Sequence, residues 1–151
     1  FISVIDIPRN CGMIWNGFIA SVPNHPFLLK VIENVVNNIE TNFYGTTNTF
    51  TTGDHHSQFP LGSLEVTGPM AFGKSINNIL DRDLSCLFDK GINNINNINF
   101  TLLENREWRY ITHNGNIVIK NSYENEKTEK SVMGGNSYIS MWLDNNIYNK
   151  T

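Results

Sequence analysis

The chain has 151 residues, 40% of them hydrophobic and 17% charged, with a formal net charge of −3, a composition that suits one globular core. It excludes nucleic-acid binding through a basic face, because 11 Lys and Arg are scattered among 14 Asp and Glu. No run approaches the roughly 18 apolar residues of a membrane span, and Cys11 and Cys86 are too few for a disulfide framework and read as reduced packing residues.

The chain opens on Phe1-Ile2-Ser3-Val4-Ile5-Asp6-Ile7, with no initiator Met. An apolar run at residue 1 reads as a buried strand entered in mid-domain, so the expectation is the C-terminal part of a larger protein. Pro8 and the turn-prone Arg9-Asn10-Cys11-Gly12 end it. A second extended segment, 13–21, follows and contains Asn16-Gly17-Phe18-Ile19-Ala20. After the turn Pro23-Asn24-His25-Pro26, the residues Leu28, Val31, Ile32, Val35 and Ile39 fall at helical spacing, with Lys30, Glu33, Asn34 and Asn37 off that stripe. Pro26 suits the first helical position, and His25, held extended by the proline after it, suits the N-cap.

Residues 42–63 show little periodicity and read as a long loop. A second helix is expected from Pro69 to about Arg82, capped by Thr67 or Gly68, with Phe72, Ile76, Ile79 and Leu80 on its buried face. The Asn-Ile tandem from Gly91 to Ile98 has low complexity and reads as an inserted connector. A hairpin is expected next, Trp108 to Thr112 against Ile117 to Ile119, turned by His113-Asn114-Gly115-Asn116. Residues 123–130 are charged and solvated, and Tyr138, Met141 and Trp142, with Ile147 and Tyr148, form a short amphipathic terminal element. Strand, helix, helix, hairpin and helix together argue a mixed α/β layer.

Several groups could carry chemistry. Asp81-Arg82-Asp83 is formally a D-x-D, and two carboxylates one residue apart can share a hard cation. Its place at a helix end, with Arg82 between the acids, favours a solvated terminus instead. Gly53-Asp54-His55-His56 has metal-capable side chains on a loop without supporting ligands, so an exposed polar loop is the plainer reading. His113 could serve as a metal ligand or proton carrier, or simply occupy a hairpin tip. No Gly-x-Ser-x-Gly, Walker loop or Gly-x-Gly-x-x-Gly is present.

Two further segments offer polar groups beside glycine. Asn16-Gly17 puts an amide at the end of an apolar strand, where a ligand can approach the backbone closely. Thr67-Gly68-Pro69 puts a hydroxyl at a helix start, where free N–H groups favour anionic or hydroxyl-rich ligands. Each can equally be a structural turn or cap.

In order and spacing, Asn16-Gly17-Phe18-Ile19-Ala20, Pro23-Asn24-His25-Pro26-Phe27 and Thr67-Gly68-Pro69 resemble the signature of glycosyltransferases with the DXD sugar-binding motif. This is the family 32 group, which includes the initiating α-1,6-mannosyltransferases. Tyr138-Ile139-Ser140-Met141-Trp142, with Ile147-Tyr148, is similar to the ending of some members. The resemblance implies an α/β fold of GT-A type (Rossmann-like), with these 151 residues its C-terminal part. It implies sugar transfer from a nucleotide-sugar donor to a glycan or glycoconjugate acceptor, with retention of configuration. It further implies a divalent metal, manganese or magnesium, that offsets charge on the departing diphosphate. Carried over by position, Asn16, Gly17, Thr67, Gly68 and Pro69 line the substrate pocket, and Ser140 and Trp142 close over it. His113 is the candidate for the further metal ligand that some relatives carry near a Trp, although no Trp closely follows it here. The family's D-x-D lies on a strand shortly before the Asn-Gly segment, and 1–15 contain none. On that reading this portion alone is inactive, and the alternative is a non-catalytic carbohydrate-binding or scaffolding remnant of the same fold.

Overall fold

The computed structural model describes residues 1–6, 12–45, 50–51, 58–59, 62–106 and 110–120. Its frame is a mixed sheet started by β1 (Ile2–Ile5) and β2 (Ile14–Ala20), the two extended segments expected from their apolar runs. β1 runs antiparallel to β2 on one side and parallel to β6 (Ile98–Arg106) on the other, in the register Ile2↔Thr101 to Ile5↔Glu104. The other edge of β6 takes β5 (Gly91–Ile95) along its first half and β7 (Tyr110–His113) at its last residues; β8 (Asn116–Lys120) completes the order β2-β1-β6-β7-β8.

β5 and β6 correct the connector reading of the Asn-Ile tandem. Ile95 and Ile98 pair across a two-residue turn in which Asn96 and Asn97 have φ of 50° and 62°. Positive φ at both central residues is the turn that matches strand twist, and asparagine tolerates it better than any residue but glycine. A three-residue tandem lacks the two-residue alternation of a half-buried strand, so its periodicity hid the hairpin. The expected Asn-Gly hairpin is present as well, with Asn114 at φ 49° and Gly115 at φ 82° joining β7 and β8.

Three helices join the sheet: α1 (Pro26–Glu40), α2 (Gly62–Val66) and α3 (Pro69–Ile79). α1 starts as expected, with His25 extended and its Nδ1 accepting the Phe27 N–H at 3.3 Å. The loop reading of 42–63 needs correction, since a two-residue ladder, β3 (Phe50–Thr51) with β4 (Gln58–Phe59), forms within it and its last two residues, Gly62 and Ser63, open α2. Elements of two to five residues are too short to show a period.

Phe27, Phe72, Ile76 and Leu80 from the helices meet Ile5, Ile14, Phe100 and Leu102 from one sheet face in the main core. Aromatic rings bind it together, with Phe27 edge-on to Phe1 at 5.3 Å and to Phe100 at 5.4 Å. The opposite sheet face carries a smaller cluster, Val4, Leu103 and Ile111, flanked by Trp15, Phe18 and Ile119. Among the described residues, no helix is long and apolar enough to cross a membrane. The terminal element around Tyr138 to Tyr148, the charged segment 123–130, Trp108 and Cys11 lie outside the described residues.

Candidate functional site

The Asn-Gly segment lies inside β2, not at its end. Val4 pairs with Trp15 and Ile2 with Ala20, so four residues, Asn16 to Ile19, stand opposite the single residue Ser3. Such a bulge breaks the ladder and frees backbone and side chains to face outward, the reason bulges gather at sites. Asn16 and Gly17 are accordingly exposed. Ser3 holds the bulge from within: it is fully buried, and its hydroxyl lies 3.1 Å from the Trp15 carbonyl and 3.0 Å from that of Phe18. Sequence reasoning missed Ser3, whose one signal is a hydroxyl among apolar neighbours in β1. Gly17 answers to packing, because a Cβ there would fall 2.4 Å from a carbon of the Trp15 indole.

The Thr-Gly-Pro segment is the bend between α2 and α3. Thr67 is exposed, and Gly68 and Pro69 are half-buried. Gly68 is the N-cap and carries no side-chain cap, so the N–H groups of the first turn of α3 lack the usual hydroxyl or carboxylate acceptor. Asn38 of α1 fixes the approach, its amide donating to the carbonyls of Glu65 at 3.1 Å and Val66 at 2.8 Å. Lys74 pairs with the buried Glu65 carboxylate and ties α3 to α2.

α3 connects the two segments. It packs on the residues leading into β2 so closely that a Cβ at Gly73 would stand 1.8 Å from the Gly12 carbonyl oxygen. Among the described residues no hydrogen bond runs directly from Asn16 or Gly17 to Thr67, Gly68 or Pro69. Ser140 and Trp142 lie outside the described residues, as do Asp54, His55 and His56.

His113 sits half-buried at the end of β7, its Nε2 3.4 Å from the Asn114 amide nitrogen. Asp81-Arg82-Asp83 is the helix end it was expected to be. α3 stops at Ile79, a turn short of the expected limit, and Asp81 takes the left-handed conformation at φ 53°. The exposed Asp83 accepts the Ser85 hydroxyl and N–H, which hold its carboxyl below the ordinary carboxylate range, the hydroxyl contributing most. Arg82 turns away to the Leu87 carbonyl and lies 5.4 Å from the Phe88 ring centre. Among the described residues, no three His, Cys, Asp or Glu side chains gather where a metal could be held. Comparison with family models, with curated proteins and with solved structures returned no match.

Proposed function

We propose that these residues belong to a retaining glycosyltransferase domain of GT-A type, which moves a sugar from a nucleotide-sugar to a glycan or glycoconjugate acceptor. The observation that carries this reading is the order of three motifs: Asn16 to Ala20, Pro23 to Phe27 and Thr67 to Pro69. Their local chemistry supports it. The exposed Asn16 amide on its bulge can donate to and accept from sugar hydroxyls. The uncapped start of α3, with the Thr67 hydroxyl beside it, suits an oxygen-rich anionic group such as the donor diphosphate. Preorganised donors of this kind stabilise the charge that develops as the glycosidic bond to the diphosphate breaks. The implied divalent metal finds no ligand set among the described residues, so no step is routed through it.

Calorimetry on the protein in its full reading frame, with uridine and guanosine diphosphate sugars and with or without manganese, tests the reading. The expected result is manganese-dependent binding of one donor, weakened about tenfold by Asn16→Ala or Thr67→Ala at an unchanged melting temperature. Metal-independent binding of free glycan would point to the carbohydrate-binding alternative. Binding of neither would remove the enzyme reading.

A further inference from the structure

α1 turns one side to the fold and another to water. Phe27, Leu28 and Val31 pack on the main core, while Asn34 and Asn38 reach Ser75 of α3 and the carbonyls closing α2. At about 100° per residue, Leu29, Ile32, Val36 and Ile39 fall together on the side turned away from α3. Each of the four is between 46% and 60% exposed. Their spacing of three, four and three residues is the a-d-a-d seam of a coiled coil, and it reads the same in both directions. Such a seam is complementary to itself under a two-fold axis. With two copies of α1 antiparallel, Leu29 meets the partner's Ile39, and Ile32 meets the partner's Val36. That register also brings each Lys30 level, within about one helical turn, with the partner's Glu40 on the same flank of the seam, a pairing of opposite charges made twice.

We infer that this seam joins two copies of the chain in an antiparallel, two-fold symmetric dimer. Four aliphatic side chains at that exposure leave roughly 350 Å2 of contiguous apolar surface per copy, the scale at which a patch marks an interaction site. Pairing hides about 700 Å2 of it and, with the Lys30 and Glu40 rim, about 1,000 Å2 in all. That area is short of a permanent dimer and suits a reversible one, with a Kd on the order of 10–100 µM. At lower concentration the copies separate and this side of α1 is open to water. A membrane surface fits less well, because Lys30, Glu33 and Glu40 leave α1 without the basic flank that lipid headgroups attract.

The test is sedimentation velocity on the protein in its full reading frame, from about 1 to about 300 µM, a range that brackets the expected Kd. The mass is expected to rise from monomer to dimer across it. Ile32→Lys and Val36→Glu each set a charge against an apolar side chain and are each expected to weaken the dimer at least about tenfold. Their melting temperatures in dilute solution should match the parent's, because both positions are exposed in the monomer. Mixed in equal amounts, the two variants are expected to dimerise again near the parent's affinity. The antiparallel register sets the new lysine against the new glutamate in one layer and leaves an isoleucine–valine layer intact in the other, whereas a parallel pairing gives no such rescue. The inference is overturned if the parent stays monomeric throughout, if neither variant weakens the dimer, or if the mixture shows no rescue. It is equally overturned by a monomer whose melting temperature falls with either substitution, since the chain itself would then cover the seam. A monomer that binds vesicles of phosphatidylcholine and phosphatidylglycerol through the seam would overturn it in favour of a membrane.

Discussion

α1 and α3 are built from the same local devices and end in opposite environments. Each has proline in its first turn, and each closes on a left-handed polar residue, Asn42 at φ 51° and Asp81 at φ 53°. In both, the next N–H reaches back to a carbonyl five residues earlier, Phe43 to Asn38 at 2.8 Å and Arg82 to Asn77 at 3.0 Å. Yet α3 buries seven of its eleven residues, whereas Phe27 alone is buried on the fifteen-residue α1. Capping chemistry therefore locates a helix without saying how much of it the fold covers. α3 touches β2, α1 and α2, whereas α1 leaves Leu29, Ile32, Val36 and Ile39 exposed along one side.

Substitutions on the two helices can break that contrast. The largest effect is expected at Gly73→Ala, which drives a methyl into the Gly12 backbone and should cost about 4 kcal/mol or more. A well-folded variant by chemical denaturation would mean that α3 does not approach β2 so closely. Ser3→Ala should cost about 1–2 kcal/mol by releasing the carbonyls at the base of the bulge. Faster hydrogen exchange confined to β2 would accompany that loss.

His25→Ala should cost about 1 kcal/mol, since it deletes the α1 cap. The parent's pH dependence sharpens this. Burial foremost holds the His25 pKa below the ordinary 6.5. The unfolded chain then binds the proton more readily. Stability from this group is full above pH 6.5 and falls as pH drops from there through the lowered folded value. Denaturant midpoints across that window should fall in the parent and flatten in His25→Ala. The smallest change belongs to Ile32→Ser, within about 0.5 kcal/mol, because Ile32 is 60% exposed. A cost above about 1 kcal/mol would show that this side of α1 is covered in solution.

The α1 stripe shows where sequence reading stopped short. Leu28, Val31 and Val35 are half-buried as the spacing implies, but Ile32 and Ile39, read as part of the same face, are exposed. The helix is rolled toward its asparagines, which supply the contacts. Asn34 donates to the Ser75 hydroxyl at 2.8 Å, and Asn38 grips the end of α2. A periodicity count scores asparagine as solvent-facing and cannot anticipate a partner 41 residues away. The candidate site divides in the same way. The Asn-Gly and Thr-Gly-Pro segments were visible as motifs, while the Ser3 plug depends on strand register.

By itself, the sequence determined what neighbouring residues decide: both major helix starts, the polar residues fit for left-handed helix ends, and the Asn-Gly turn. Those are matters of backbone sterics and capping within four or five residues. Only the tertiary structure decided that the Asn-Ile tandem is a hairpin feeding the central strand, which side of α1 is covered, and which polar side chains are buried together. These outcomes depend on pairing between segments up to about a hundred residues apart. Hydrogen bonding and burial select such pairings cooperatively, and no local pattern encodes them.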